Sequence, residues 1–153
     1  MSSARPLQPD REAFCVEFRH RSWAEPSRWP RVLDLLRANR MSLVVVDAPQ
    51  GHPNSMPVRA DVTDPARSVV RFHGRRAETW NSPGAGVAAR FDYLYEPAEL
   101  TPWVESVRRL AGESDEVHVV FNNCVRDYAV SDARAFATLV ERAGAGGREE
   151  DGP

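Results

Sequence analysis

The sequence predicts an α/β fold built on a parallel sheet. Strand-like runs alternate with helix-like segments, which is typical of parallel strands joined by crossover helices. The strand-like runs are nearly continuous in apolar residues, as expected when both faces of a strand are covered. With 153 residues, 42% hydrophobic and 27% charged, the chain suits one domain with its own core. We assign residues 13–143 to this domain, residues 1–12 to a flexible leader and residues 144–153 to a disordered tail.

Four strands are predicted in chain order, each rich in β-branched or aromatic residues. They are residues 15–20 (CVEFRH), 42–47 (SLVVVD), 68–74 (SVVRFHG) and 116–123 (EVHVVFNN). Glycine, proline and asparagine fill the loop after the second strand, so its connection to the third is expected to be largely irregular.

Three helices are predicted between and after these strands. The first covers residues 28–39, with Ser27 as its N-cap. The second covers residues 97–111, because Pro97 suits a first helical turn and apolar residues recur at helical spacing. Ser131 is the predicted N-cap of the last helix.

Polar residues collect toward the carboxyl ends of the predicted strands, on faces that alternate with apolar ones. They are Glu17, Arg19, Asp47, Arg71, His73 and Asn122, with His20 and Asn123 at the rims. In parallel α/β folds the carboxyl end of the sheet carries the site. We therefore expect these side chains to converge on one concave surface.

These residue types leave several chemistries open. Two arginines suit a phosphate or carboxylate through bidentate contacts. Glu17, Asp47 or His73 could transfer a proton if its pKa lay near neutrality. The same groups could hold a divalent metal, but the spacing is not diagnostic, so no metal is assigned. The alternative to a ligand site is a purely structural network of internal salt bridges.

Composition excludes several partners and leaves the cofactor unknown. The net charge of −2 gives no basic surface for nucleic acid or for an anionic membrane. No apolar run approaches the ~20 residues of a membrane-spanning helix, and the first residues lack a signal-peptide stretch. A cytoplasmic location is expected, with Cys15 and Cys124 as two reduced thiols. Glycine-rich nucleotide-binding motifs and a nucleophile elbow are missing from the sequence.

Several separate motifs resemble one known family. They are VEFRHRSW (16–23), VVVD (44–47), VVRFHGR (69–75), RFDYLY (90–95) and VFNNC-x-RDYA (120–129). In this order and spacing they resemble the YecE-like family, also called domain of unknown function 72, over roughly residues 13–142.

The resemblance implies a TIM-type (β/α)8 barrel, broadly related to sugar-isomerase-like barrels. The family begins with a Gly-Thr-Ser-Gly-Trp-type strand and three further βα units, to which nothing here corresponds. The chain would then be the C-terminal half of the barrel, with four of eight parallel strands and an open sheet. The positions that match the family's polar site are Glu17, Arg19, His20, Trp23, Asp47, Arg71, His73, Tyr95, Asn122 and Asn123.

The resulting hypothesis is an uncharacterised barrel fragment that binds a small anionic or sugar-like ligand at the carboxyl ends of the strands. Any activity would be sugar-isomerase-like or hydrolytic, with Glu17, His73 and Asp47 as catalytic residues, and the isolated half is expected to be inactive. Arg19, His20, Arg71, Tyr95, Asn122 and Asn123 would bind the ligand. The alternative is a non-catalytic interaction module or a decayed remnant of a longer gene.

Open strand edges imply a partner chain. The two expected partners are a second copy, giving a homodimer of half-barrels, and a missing N-terminal half. The face intended for the barrel interior, with Leu43, Val45, Val69 and Val120, is expected to lie open to water.

Overall fold

The protein forms an open four-stranded parallel sheet flanked by helices. The computed structural model describes residues 13–82, 84, 86–123 and 125–146. The strands are β1 (Cys15–Val16), β2 (Ser42–Asp47), β3 (Arg67–Phe72) and β4 (Glu116–Phe121). Their order along the sheet is β1-β2-β3-β4, with every pair parallel, which confirms the predicted order and direction.

Strand β1 is much shorter than predicted, because in the described part of the chain it lies at the edge of the sheet and pairs only with β2. After it, the chain leaves the sheet and enters a 3₁₀ turn, Arg21–Ala24. The ring of His20 accepts a hydrogen bond from the backbone N–H of Ser22, and Arg21 donates to the carbonyl of Pro53 at 2.9 Å. These bonds satisfy backbone groups that a longer strand would have left unpaired at the edge.

The helices are α1 (Trp29–Ala38), α2 (Ala77–Trp80), α3 (Val87–Arg90), α4 (Pro97–Glu113) and α5 (Tyr128–Gly146). Helix α4 begins at Pro97 as predicted, with a capping box formed by Glu96 and Glu99. The two predicted serine caps are wrong. Helix α1 follows Arg28 without a side-chain cap. Helix α5 begins a turn before Ser131, whose N–H already bonds to the carbonyl of Asp127.

The predicted domain boundaries at residues 12 and 143 stay predictions. Helix α5 continues to Gly146, so the first residues of the predicted tail, 144–146, are helical. The predicted leader, 1–12, and residues 147–153 lie outside the described residues.

One face of the sheet carries the main helices. Leu43 is buried against α1, while Val45, Val70 and Phe72 are buried with apolar residues of α4 and α5. Leu43 and Val45 were expected on an open face and instead lie against helices, so that expectation is wrong. Their burial contributes to the core's hydrophobic stabilisation.

The opposite face is covered only over its centre. Val44, Val46 and Val69 pack with Trp80 at the end of α2, and Phe91 after α3 lies against the same cluster. Val69 is therefore buried, contrary to expectation, whereas Val120 on β4 is 41% exposed. Within the described part of the chain, no helix is both long enough and apolar enough to cross a membrane.

Candidate functional site

The parallel register brings polar side chains from three strands to the face opposite helices α1, α4 and α5. Glu17 directly follows β1, Arg71 lies near the end of β3, and Asn122 directly follows β4. Strand β2 lies between β1 and β3 and contributes Val44 and Val46 to this face beside the polar side chains. Because these valines are short, the long side chains from β1 and β3 can meet across β2.

Glu17 accepts hydrogen bonds from three neighbours on this face. One carboxylate oxygen accepts from Arg19 at 2.8 Å and lies 3.2 Å from Nε2 of His73. The other accepts from Nη1 of Arg71. We call these residues, with Asn122, the Glu17 cluster. It unites five of the six strand residues predicted to converge.

His73 is fully buried and held through both ring nitrogens. The Asn122 side-chain nitrogen lies 3.3 Å from Nδ1 and Glu17 lies beside Nε2. If the amide of Asn122 donates to Nδ1, the proton of a neutral ring is on Nε2 and faces the carboxylate. The rings of Phe91 and Trp80, with centroids 5.8 and 6.4 Å from that of His73, limit its rotation.

The electrostatics of the cluster keep Glu17 ionised. Burial raises the pKa of this carboxyl, but the hydrogen bond and charge of His73, with the charges of Arg71 and Arg19, outweigh burial and lower the pKa to about 2. At neutral pH Glu17 is therefore a carboxylate that accepts hydrogen bonds, and it is a poor proton donor.

The two arginines retain donors that face solvent. The side chain of Arg71 is 31% exposed and that of Arg19 is 54% exposed, whereas Glu17 is only 12% exposed. The two guanidinium groups and the one carboxylate give the Glu17 cluster a net charge of +1 when His73 is neutral. Each guanidinium has five N–H donors, and one nitrogen of each bonds to Glu17. The cluster thus presents positive, directed donors beside a small aromatic surface.

Asp47 does not join the Glu17 cluster, which corrects the predicted single surface. It shares the parity of Leu43 and Val45 and therefore points to the helix-bearing face. Its carboxylate accepts from Nε of Arg75 at 2.9 and 3.1 Å and from the hydroxyl of Tyr95 at 2.7 Å. Asp47 and Tyr95, two of the side chains predicted to be functional, are therefore buried and hydrogen-bonded to each other.

This second group, the Asp47 group, connects the chain after β3 to the start of α4. The hydroxyl of Tyr95 accepts from the N–H of Gly74 at 2.9 Å. Glu99 accepts from Arg75 at 3.3 Å and from Tyr93 at 2.6 Å. Burial and the neighbouring carboxylates raise the pKa of both tyrosines, so both stay protonated donors. The arrangement indicates a structural role.

Asn123 also lies away from the Glu17 cluster. It is fully buried and donates to the carbonyl of Tyr93 at 2.7 Å and to Asp132 at 2.5 Å. Asp132 accepts in addition from the N–H of Tyr95, and burial raises the pKa of its carboxyl despite these bonds. Asn123 therefore positions the segment before α4 rather than a ligand.

The remaining predicted positions lie at the edge beside β1. His20 bonds to the hydroxyl of Ser22 at 2.8 Å and is exposed. Trp23 packs on Phe18 with ring centroids 5.0 Å apart, and the guanidinium of Arg28 lies 5.9 Å from its ring. No described contact joins His20 or Trp23 to the Glu17 cluster.

Sequence reasoning missed Arg75 and Asp132, which complete the structural groups, and Trp80, which lies beside His73. Extending the β2–β3 register would have placed Gly74 beyond Asp47 and made Arg75 a candidate partner for that carboxylate. Nothing in the local pattern marked Asp132, because its partners lie in two other segments.

A metal site receives no support from the residues that the structure describes, among which no group of three or more histidine, cysteine, aspartate or glutamate side chains is placed to hold an ion. Cys15 is a free, exposed thiol. Cys124 lies outside the described residues.

The fold and the Glu17 cluster together define an open parallel α/β protein with a polar site at the carboxyl ends of its strands. The chain belongs to the family described as "Protein of unknown function DUF72", whose model matches residues 3–152. This confirms the domain of unknown function 72 that the motifs indicated.

Relatives of the chain are about twice as long. The UPF0759 protein YunF of Bacillus subtilis is 31% identical over 129 residues, which cover 82% of this chain and 46% of YunF. A crystal structure of a DUF72 family protein from Enterococcus faecalis has a TM-score of 0.80 at 31% identity, over 86% of this chain and 48% of that one. One from Thermotoga maritima has a TM-score of 0.73 at 34% identity, over 85% and 46%. The chain thus spans about half the length of the relatives that it matches.

Proposed function

We propose that the Glu17 cluster binds a small anion, such as a phosphorylated or acidic sugar. The observation that carries this proposal is the pair of partly exposed guanidinium groups, Arg19 and Arg71, held by one nearly buried carboxylate. A carboxylate or phosphate would meet preorganised N–H donors, whose side-chain entropy is already reduced by the bonds to Glu17.

The charge balance limits the ligand to a small molecule. A local charge of +1 favours an anion, whereas the chain's net charge of −2 opposes a large polyanion such as nucleic acid. Phe91, beside His73, offers an apolar surface for the carbon skeleton of a sugar.

Binding is supported better than acid–base catalysis by Glu17. This carboxyl has a pKa of about 2, far from the neutral value that suits a general acid or base. Of the residues proposed as catalytic, His73 remains the candidate for proton transfer, because Glu17 stays ionised and Asp47 is bonded to Arg75 and Tyr95. Sugar-isomerase-like or hydrolytic chemistry would therefore depend on His73.

We also propose that the sheet is the C-terminal half of a TIM-type barrel, as the YecE-like motifs imply. Four parallel strands in chain order, with helices α1, α4 and α5 on one face, are half of the eight-stranded pattern. The coverage of about half of each relative supports the same proposal.

The binding proposal is tested by thermal unfolding with inorganic phosphate, glucose 6-phosphate, gluconate and neutral glucose. At a hundredfold excess over the dissociation constant, a true ligand stabilises the protein by ~2.7 kcal/mol. We expect stabilisation by at least one anion and none by glucose. Arg71→Gln should abolish the effect, whereas Arg108→Gln, a matched change at an exposed site on α4, should keep it.

Two results would contradict anion binding by the Glu17 cluster. Equal stabilisation of Arg71→Gln and the unchanged protein would place the anion elsewhere. A folded protein that responds to none of the anions would refute the proposal.

A further inference from the structure

The β4 edge of the sheet carries an unfilled apolar groove. Within the described chain, β4 pairs only with β3, and α5 overhangs its free side. The groove has a volume of about 520 Å³. Its lining is formed by Val119, Val120, Phe121, Ala129, Val130, Ala133, Arg134 and Ala137. Val130 is 53% exposed there, so both the strand edge and the helix face lack a neighbour in the described structure.

The opposite edge carries apolar side chains that protrude. Phe14, directly before β1, is 56% exposed, and Trp23 is 43% exposed. Phe14 has the same parity as Val16, which packs on the helix-bearing side of the sheet with Leu43. A protruding ring at one edge and a groove lined by small residues at the other are complementary in shape and polarity.

We infer that a second copy of this chain docks on the groove, with β1 of each copy pairing in parallel with β4 of the other. The inference rests on the proposal that the sheet is half a barrel. Two copies about a two-fold axis along the barrel supply eight parallel strands and leave no free edge. Both Glu17 clusters would then face the same interior at the carboxyl end of the strands.

Barrel geometry fixes which residues meet. Val16 pairs with Leu43 and Ser68 pairs with Val117, and the β2–β3 register, extended by one residue from Val44 and Val69, brings Leu43 level with Ser68. A TIM-type barrel has a shear of about eight residues around the circle, which is about four per copy. The right-handed coiling of the strands lowers the register by that amount, so Phe121 lies level with Val16 of the second copy.

The same register places Phe14 beside Val119 and Val16 beside Phe121. Both of these β4 residues line the groove. The protruding ring thus enters the space below α5 without any adjustment of the register. This agreement between the shear and the groove supports a second copy as the occupant.

The register also makes Cys15 and Val120 direct neighbours across the interface. Cys15 is free and exposed, and Val120 is 41% exposed, so replacing Val120 should leave the fold intact. Adjacent strands lie ~4.8 Å apart, within the range of Cα separations that a disulfide spans. In a Cys124→Ser background, Val120→Cys should oxidise to a covalent dimer of twice the 17.1 kDa chain mass. His118→Cys lies two residues away on the same strand face and should link poorly.

Light scattering after size exclusion provides the second measurement. The unchanged protein should elute as a dimer that dissociates on dilution. Phe14→Glu should raise the dissociation constant by about a hundredfold or more, because the dimer contains this apolar contact twice. Leu35→Glu, a matched change at a 62% exposed site on α1, should leave it unchanged.

Three results would overturn the inference. One is a 17.1 kDa monomer at every concentration without cross-linking of Val120→Cys. Another is equal cross-linking of His118→Cys, which contradicts the register. The third is a monomer that forms a one-to-one complex only with an added N-terminal half of the Bacillus relative, since the groove would then belong to a different partner.

Discussion

Replacing Glu17 by glutamine should reveal how strongly the Glu17 cluster stabilises the fold. The pKa of this carboxyl falls from its ordinary value of 4.5 to about 2, and one pKa unit is worth about 1.4 kcal/mol. The ionised group therefore contributes about 3 kcal/mol to the free energy of unfolding. Because its folded-state pKa lies below the unfolded value, this contribution is complete above pH 4.5 and disappears as the pH falls toward 2.

Urea unfolding followed by tryptophan fluorescence measures this contribution, at one protein concentration throughout. The free energy of unfolding of Glu17→Gln should be lower by about 3 kcal/mol at pH 7, and the difference should shrink toward zero between pH 4.5 and 2. Glu105→Gln, an exposed position on α4, is the matched control and should change little at either pH. A difference that is the same at pH 7 and pH 2.5, or no larger than the control's, would refute the reasoning.

Two further substitutions test the connections around the site by the same unfolding measurement. Gly74→Ala should lower the free energy of unfolding by at least about 3 kcal/mol, because φ is +87° and the added Cβ would lie 2.6 Å from the Cβ of Tyr93. The control Gly51→Ala, with φ +85° and open space around the added Cβ, should cost about 1 kcal/mol. Equal losses would contradict the close packing of Gly74 against Tyr93. Tyr95→Phe removes a buried hydroxyl that donates to Asp47 and accepts from Gly74, so about 2 kcal/mol should be lost. The control Tyr128→Phe, at a partly buried ring whose hydroxyl bonds to Arg126 at an exposed site, should cost under about 0.5 kcal/mol. A neutral Tyr95→Phe would show that these two hydrogen bonds are not formed.

The order of the strands was predictable because each of β2, β3 and β4 is a distinct apolar run between polar segments. The length of β1 was not predictable, because its sequence pattern continues to His20 while its pairing stops at Val16. Pairing depends on a neighbour, and β1 has one on a single side in the described chain. The extent of an edge strand is therefore decided by tertiary contacts that local periodicity does not contain.

The candidate site was predictable to the extent that one face of each strand turns from apolar to polar toward its carboxyl end. Arg71 and His73 alternate with buried apolar residues, and the structure brings both to Glu17. In β2 every residue is buried, so its sequence gives no signal for which face Asp47 occupies. Alternation also separates the adjacent pair Asn122 and Asn123, which bond to His73 and to Asp132 on opposite faces.

The most direct test of anion binding by the Glu17 cluster is an NMR titration that observes the arginine Nε–H signals and the ring nitrogens of His73. Phosphate and glucose 6-phosphate should shift the signals of Arg19, Arg71 and His73 together, with one saturation curve, while the exposed Arg108 on α4 stays unchanged. Shifts confined to arginines outside the cluster, or a linear drift of all arginine signals without saturation, would contradict a binding site at the carboxyl ends of the strands.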